Sequence, residues 1–388
     1  MKIVIAPDSF KGSLSAVEAS ISIKKGIKKA LPDAETVLLP IADGGEGTME
    51  TLVVATGGSK KRVAVSGPLG ETVEAEYGVL GDEETCVIEM ASASGLALIP
   101  HEQLNPRLAT TYGTGELIKQ ALDDGFQSFI LAIGGSATND GGAGMLQALG
   151  MKLLDENGKE ISFGGAELAR INSVDVSGFD KRIKGRKFLI ASDVQNPLIG
   201  SDGASSVFGP QKGATIEDVK MLDQCLAHWA DEVEKVTGIH LHDRPGAGAA
   251  GGLGGAFQAF FPAEMRRGID IVIEYTKLQQ ALIGADLVIT GEGQVDFQTA
   301  SGKTPMGVAQ AAKSQGIPSI ILAGSIGPGI ETLYQFGVVS VNSIINQPMM
   351  LSEAMERAGE LLEHCSEQVI RSFFYPALTE SQNPHLEN

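Results

Sequence analysis

The chain is poor in cysteine: three in 388 residues, at Cys86, Cys225 and Cys365, with no Cys-x-x-Cys pair. That excludes a disulfide framework and fits a reducing compartment. Histidine is nearly as scarce, with six residues. Only His240 and His242 stand close together, and they have no partners at metal-ligand spacing, so no structural zinc site is expected. Positive charge is in deficit: 30 Lys and Arg against 48 Asp and Glu leave a net charge of −18. The pI of 4.8 argues against nucleic acid or an anionic membrane as a partner. A few lysines and helix N-termini still suffice for a phosphorylated small molecule. No apolar run approaches a membrane span. The opening "MKIVIAPD" reads as a strand, not as a basic-then-apolar leader. A soluble cytoplasmic protein is expected.

Glycine is abundant, 49 residues, well above the usual share of about 7%. The glycines cluster at strand ends, which marks loop chemistry and not disorder. The stretch "ILAIGGSATNDGGAGM" runs from an apolar strand through glycines, hydroxyls, an Asn and an Asp into a helix. A plain strand-to-helix turn needs far less glycine. Something must approach this backbone closely, and an anion is the candidate.

Along the chain, "KIVIAPD", "ETVLLPIADGG" and helices at 16–31 and 46–56 read as βα units. From about Lys61 to Met90 the apolar–polar alternation with Gly-Pro and Gly-Asp-Glu turns predicts an antiparallel meander. Beyond it come a helix at 115–124, the strand "FQSFILAIGG" and a helix at 143–149. A hairpin around "DENGKE", the strand "KFLIASD" and a helix at 216–236 follow. The last third returns to βα texture and closes on a helix at 352–374. The pattern predicts an α/β fold: a doubly wound, mostly parallel sheet domain with a second, mixed α/β domain inserted into it. The expected division is 1–60 plus 265–388 for the first and 61–264 for the insert, with 110–150 fitting either part.

Five loops of one composition follow predicted strands, where open α/β sheets bind ligands. They are "APDSFKGSLS" (6–15), "PIADGGEGT" (40–48), "IGGSATNDGG" (133–142), "ASDVQNPLIGSDGA" (191–204) and "ITGEGQVDFQTASGKTP" (289–305). Each Asp alone is most simply a turn or cap carboxylate, and Lys11 alone a solvated lysine. Together, glycine N–H groups, lysines and carboxylates are what phosphoryl transfer requires. "SGKT" fails as a P-loop because Phe297 stands where a glycine is needed. "GAGAAG" (246–251) matches a dinucleotide fingerprint but lacks the preceding strand. No His-Arg-Asp loop is present, which excludes a protein kinase. "FGPQKGA" (208–214) is either an anion contact or a turn entering the next helix.

Taken in order, "APDSFKGSLSA", "PIADGGEGT", "YGTGELI", "IGGSATNDGG", "SDVQNPLIGSDGA", "FGPQKGA", "PGAGAAGGLGG" and "ITGEGQVDFQTASGKTP" resemble the type I bacterial glycerate kinases. Phe297 departs from that pattern, where Ser is expected. The resemblance implies ATP-dependent phosphorylation of glycerate with Mg²⁺, the 2-hydroxyl favoured over the 3-hydroxyl. It also implies two domains with the active site in their cleft.

On the matched positions, Gly134, Gly135, Ser136 and Thr138 are expected around the ATP phosphates. Asn139 and Asp140 are expected to support Mg²⁺ or cap the helix. Asp193 is the expected base and Asn196 its neighbour on the substrate. Lys11 is assigned to the substrate carboxylate or the moving phosphoryl group, and Lys303 to phosphate. Asp43 and Glu46 are the expected Mg²⁺ or hydroxyl ligands. Asp8 is held in reserve for catalysis and Asp296 for the metal. Two other classes stay open, a nucleotide- or sugar-acid-sensing protein without turnover and an NAD-dependent dehydrogenase. Glycerate is the expected small-molecule partner, and a homo-oligomer is left open.

Overall fold

The apolar run Ile3-Val4-Ile5 forms the strand Lys2–Ile5, buried on both faces as a central parallel strand must be. The computed structural model describes residues 1–297, 299 and 303–374. The chain divides into two compact units, Met1–Asp43 with Ile269–Asn388, and Gly44–Gly268.

The first unit is built on five parallel strands in the order Val338–Ser343, Ser319–Ile326, Leu287–Val295, Lys2–Ile5, Glu35–Leu38. Alternation along Ser319–Ile326 divides its side chains between two cores. Ile320 and Leu322 join helices Ala16–Ala30 and Ala358–Phe373, while Ile321 and Ala323 join helix Thr304–Lys313. Helices therefore cover both faces, the doubly wound arrangement. Helix Ala16–Ala30 starts where a capping box starts it: Ser15 accepts from the Glu18 N–H, and Glu18 answers the Ser15 N–H.

Gly26 of that helix lies against helix Ala358–Phe373. A Cβ there would sit 2.0 Å from Ser366 Oγ and 2.1 Å from the Glu363 carbonyl oxygen. A backbone carbonyl cannot rotate away, so the helices must part. Gly26→Ala is expected to lower stability by about 2 kcal/mol in urea titrations, against its gain in helix propensity. An unchanged midpoint would show that this helix pair yields freely.

The second unit carries a six-stranded sheet in the order Ala263–Arg266, Lys187–Ala191, Ser128–Ala132, Thr85–Glu89, Thr72–Val79, Ser59–Ser66. The last two pairings are antiparallel and the others parallel. The meander expected from sequence is thus the antiparallel edge of a mixed sheet. Around "DENGKE" a tight turn forms, with the Asp155 N–H on the Lys159 carbonyl. Strand Lys152–Leu154, however, pairs with Ser173–Asp175. The closing helix is two, Leu351–Glu356 and Ala358–Phe373, broken at Arg357 (φ −97°, ψ 10°).

The division falls at 43/44 and 268/269, earlier and later than the expected 60/61 and 264/265. The reason for the first shift is packing. Helix Thr48–Thr56 presses Val53 and Met49 onto Gly78 of strand Thr72–Val79, where a Cβ would meet Val53 Cγ2 at 2.6 Å. Residues 110–150 fall within the second unit. Among the described residues, no helix is long and apolar enough to cross a membrane.

Candidate active site

In the first unit the loop after strand Lys2–Ile5 keeps pairing with its neighbour: the Asp8 N–H donates to the Gly291 carbonyl at 2.8 Å. This sets Asp8 beside Glu292, which lies near the carboxyl end of strand Leu287–Val295. Asp8 Oδ1 accepts the Ser9 N–H at 2.6 Å, and Oδ2 accepts the Thr304 hydroxyl at 2.5 Å. Glu292 Oε1 accepts the Thr299 hydroxyl at 2.9 Å, and the same hydroxyl takes the Asp296 N–H at 3.2 Å. Gln294 donates to Asp296 Oδ2 at 3.1 Å. Asp8, Asp43 and Glu292 line a pocket of about 700 Å³ together with Lys11 and Lys303.

The charges in this cluster are under strain. Burial raises Asp8 to about 6, Asp43's charge adds to it, and bonds from Thr304 and Ser9 with the charge of Lys11 oppose it. Burial likewise raises Glu292 to about 7; Lys303 and Thr299 oppose, while Asp8 and Asp43 add. Three carboxylates lining one half-dry pocket are relieved by a proton or by a cation. An all-oxygen anionic donor set fits a hard divalent ion such as Mg²⁺.

A folded pKa above the unfolded value means that stability is complete at low pH and is lost as pH rises through the folded value. For Glu292 that window runs from its ordinary 4.5 up to about 7. Without divalent ions, Glu292→Gln is therefore expected to raise the Tm. The stabilisation should be ~1 kcal/mol near pH 8 and vanish near pH 4. An equal effect at both pH values would show that the carboxylate is not held this way.

The glycine-rich loop lies in the second unit. Gly134 and Gly135 are exposed, but Ser136 is buried, as are Thr138, Asn139 and Asp140. Their side chains build the loop's own scaffold. Lys212 is fully buried beneath them and donates to Ser136 Oγ and the Thr138 carbonyl, both at 2.7 Å. Asp140 accepts the Thr111 N–H and hydroxyl, each at 2.8 Å, and the Gly142 N–H at 3.1 Å. The Asn139 amide donates to Ser205 Oγ at 2.9 Å. Burial pushes the Lys212 ammonium down to about 7, with Asp140's charge opposing. Ser136, Thr138 and Asn139 are thus buried, but Thr138 Oγ1 and Asn139 Oδ1 have no hydrogen-bond partner among the described residues.

Asp193 and Glu46 are exposed residues of the second unit, and Asn196 there donates to the Asp202 carbonyl at 2.8 Å. Of the residues singled out from sequence, the first unit gathers Asp8, Lys11, Asp43 and Lys303 around one pocket. Asp296 lies at its strand end with Gln294 and Thr299. Sequence composition gives Glu292, Thr299 and Thr304 no role and leaves the Lys212 loop between an anion contact and a turn, though all stand in loops with the right composition.

"GAGAAG" follows no strand. It is a turn whose Gly251 carbonyl accepts the Gly141 N–H at 3.0 Å. The expectation that His240 and His242 lack partners is also corrected, because helix Ile216–Thr237 brings Glu234 within 4.8 Å of both.

The glycerate kinase family model matches residues 3–374. The chain is 52% identical to a glycerate kinase of Bacillus subtilis over 372 residues, 96% of this chain and 97% of the relative. It is 48% identical to the glycerate 2-kinase of Escherichia coli K12 over 369 residues, 95% and 97% respectively. A crystal structure described as a candidate glycerate kinase 2 from Salmonella typhimurium LT2 superposes with a TM-score of 0.87 at 47% identity. It covers 97% of this chain and 99% of that one.

Proposed function

The chain belongs to the glycerate kinase family, and on that premise we propose that it transfers the γ-phosphoryl group of ATP to a hydroxyl of glycerate, the 2-hydroxyl by preference, with Mg²⁺. The observation that carries the chemistry is the pocket of the first unit, where Asp8, Asp43 and Glu292 face Lys11 and Lys303. Asp8 and Asp43 would hold Mg²⁺, which when bound supplies charge neutralisation on the phosphates.

The chain's own groups do the rest. Lys11 and Lys303 neutralise the carboxylate of glycerate and the charge on the transferring group. Glu292, with one oxygen held by Thr299, accepts the proton of the attacking hydroxyl. A bond forms between that oxygen and the γ-phosphorus, the bond to the bridging oxygen breaks, and ADP leaves with the electron pair.

Asp193, the base expected from sequence, is the rival for the proton. Glu292→Gln removes the rise of kcat with pH on this reading, and Asp193→Asn leaves that rise in place. The reverse pattern returns the role to Asp193. The preference for the 2-hydroxyl draws support from the name of the Escherichia coli relative. The three scattered cysteines, two of them buried, support a cytoplasmic location.

The test is an ADP-release assay with MgATP and D-glycerate, with the product resolved by phosphorus NMR. 2-Phosphoglycerate is the expected product. The 3-isomer would overturn the hydroxyl assignment alone. ATP binding without turnover would overturn the enzyme in favour of a sensor.

A further inference from the structure

The pocket that holds the carboxylates is far larger than the reaction's acceptor needs. Glycerate has three carbons and no apolar face, whereas about 700 Å³ is in the range that encloses a drug-sized ligand. Its lining carries Asp8, Lys11, Asp43, Glu292 and Lys303 together with an apolar wall of Phe10, Ile344, Ile345, Met349, Leu351 and Met355.

This wall is not core throughout: Phe10 and Ile344 are buried, and Ile345 and Met349 pack against the same cluster. Leu351 is 75% exposed and the adjoining Met350 74%, so large apolar side chains stand open at the rim. Nor is it loose. The Ser13 hydroxyl donates to the Met355 carbonyl at 2.7 Å, tying helix Leu351–Glu356 to the turn after the first strand. Gly293 and Gly324, on neighbouring strands, also line it, and a Cβ at Gly324 would meet the Gly293 carbonyl oxygen at 2.5 Å.

We infer that the wall of Ile344, Ile345, Met349, Leu351 and Met355 is the subsite for the adenosine of ATP, so that the first unit binds the nucleotide whole. This rests on the kinase reading above and deepens it. The assignment follows from complementarity along one cavity. Methionine and isoleucine side chains take the faces of a planar base, sulfur against aromatic ring. The lysines meet the triphosphate, and the carboxylates meet its cation. It also moves the nucleotide away from the Gly134–Asn139 loop, whose hydroxyl and amide groups are turned inward.

The test is made on the full chain with Met349→Asp and Leu351→Asp combined, the first half-buried and the second exposed; a thermal melt checks folding, and Leu351→Asp alone is read if the pair does not fold. The expected result is a KM for ATP raised about tenfold or more, the effect of about 1.4 kcal/mol of lost binding. The KM for glycerate stays where it was. Inorganic tripolyphosphate, which lacks base and ribose, inhibits wild type and variant with the same Ki. An unchanged KM for ATP in the folded variant overturns the subsite. So does a rise confined to the KM for glycerate, or a weakening of tripolyphosphate equal to that of ATP. None of these outcomes touches the kinase reading, which fails only if the wild-type chain turns over no MgATP with glycerate.

Discussion

Asp8→Asn is expected to lower kcat by about three orders of magnitude. The substitution keeps the shape of the side chain, and its carbonyl still accepts the Ser9 N–H or the Thr304 hydroxyl that hold Asp8 now. The charge is lost, with one of the two hydrogen bonds. In the pocket that charge is one of three, and it is clamped from two sides. The Mg²⁺ concentration giving half-maximal rate should rise in the same variant. In wild type, kcat/KM should climb between about pH 5 and about pH 8, because the carboxylates act in their ionised form. The limb belongs to the coupled Asp8–Glu292 pair, raised to about 6 and about 7 in the absence of metal. Added Mg²⁺ should shift the limb to lower pH. Steady-state kinetics of Asp8→Asn within about tenfold of wild type would remove Asp8 from the machinery.

Lys212→Met is expected to cost about 3 kcal/mol of stability, the penalty of stranding buried polar partners. Methionine fills the channel but leaves Ser136 Oγ and the Thr138 carbonyl without their donor. It also removes the positive charge that faces the fully buried Asp140. The sign of the pH dependence is specific. The folded value of Lys212, about 7, lies below its ordinary 10.5, so within that window the unfolded chain binds the extra proton. Wild-type stability then gains with pH from this group, and the methionine variant lacks that gain. Urea titrations at several pH values should show a deficit that widens from neutral towards about pH 9. A loss under about 1 kcal/mol would mean that the loop does not depend on the ammonium.

The strand ends and their loops were legible in sequence because glycine and Asp after an apolar run have few other uses. That logic picked Asp8, Lys11, Asp43 and Lys303, which share one pocket. It could not tell which polar side chains point outward. "GGSATNDGG" looks like a phosphate cradle, yet Thr138, Asn139 and Asp140 are buried, and Lys212, from a loop more than seventy residues on, donates to the Thr138 carbonyl and faces the charge of Asp140. Nothing local in the sequence announces a buried lysine. Glu292 was passed over for a related reason. It is one more acidic residue in a glycine-rich loop until Asp8 and Asp43 are seen lining the same pocket. The helix Thr48–Thr56 was placed in the wrong unit because βα rhythm continues through it. Its allegiance is decided by Gly78, in a strand that reads from sequence as part of a separate meander.

The interrupted first unit has a consequence for the order of synthesis. Strand Lys2–Ile5 lies inside its sheet, between Glu35–Leu38 and Leu287–Val295, so once out of the ribosome it lacks one of its two neighbours until all of 44–268 has followed. At ordinary elongation rates that wait exceeds about ten seconds. The second unit, continuous in the chain, has its strands in hand by then. The nascent protein thus carries an exposed Ile-Val-Ile edge through most of its translation, a segment for chaperones to shield and the place where a slow ribosome would be felt first.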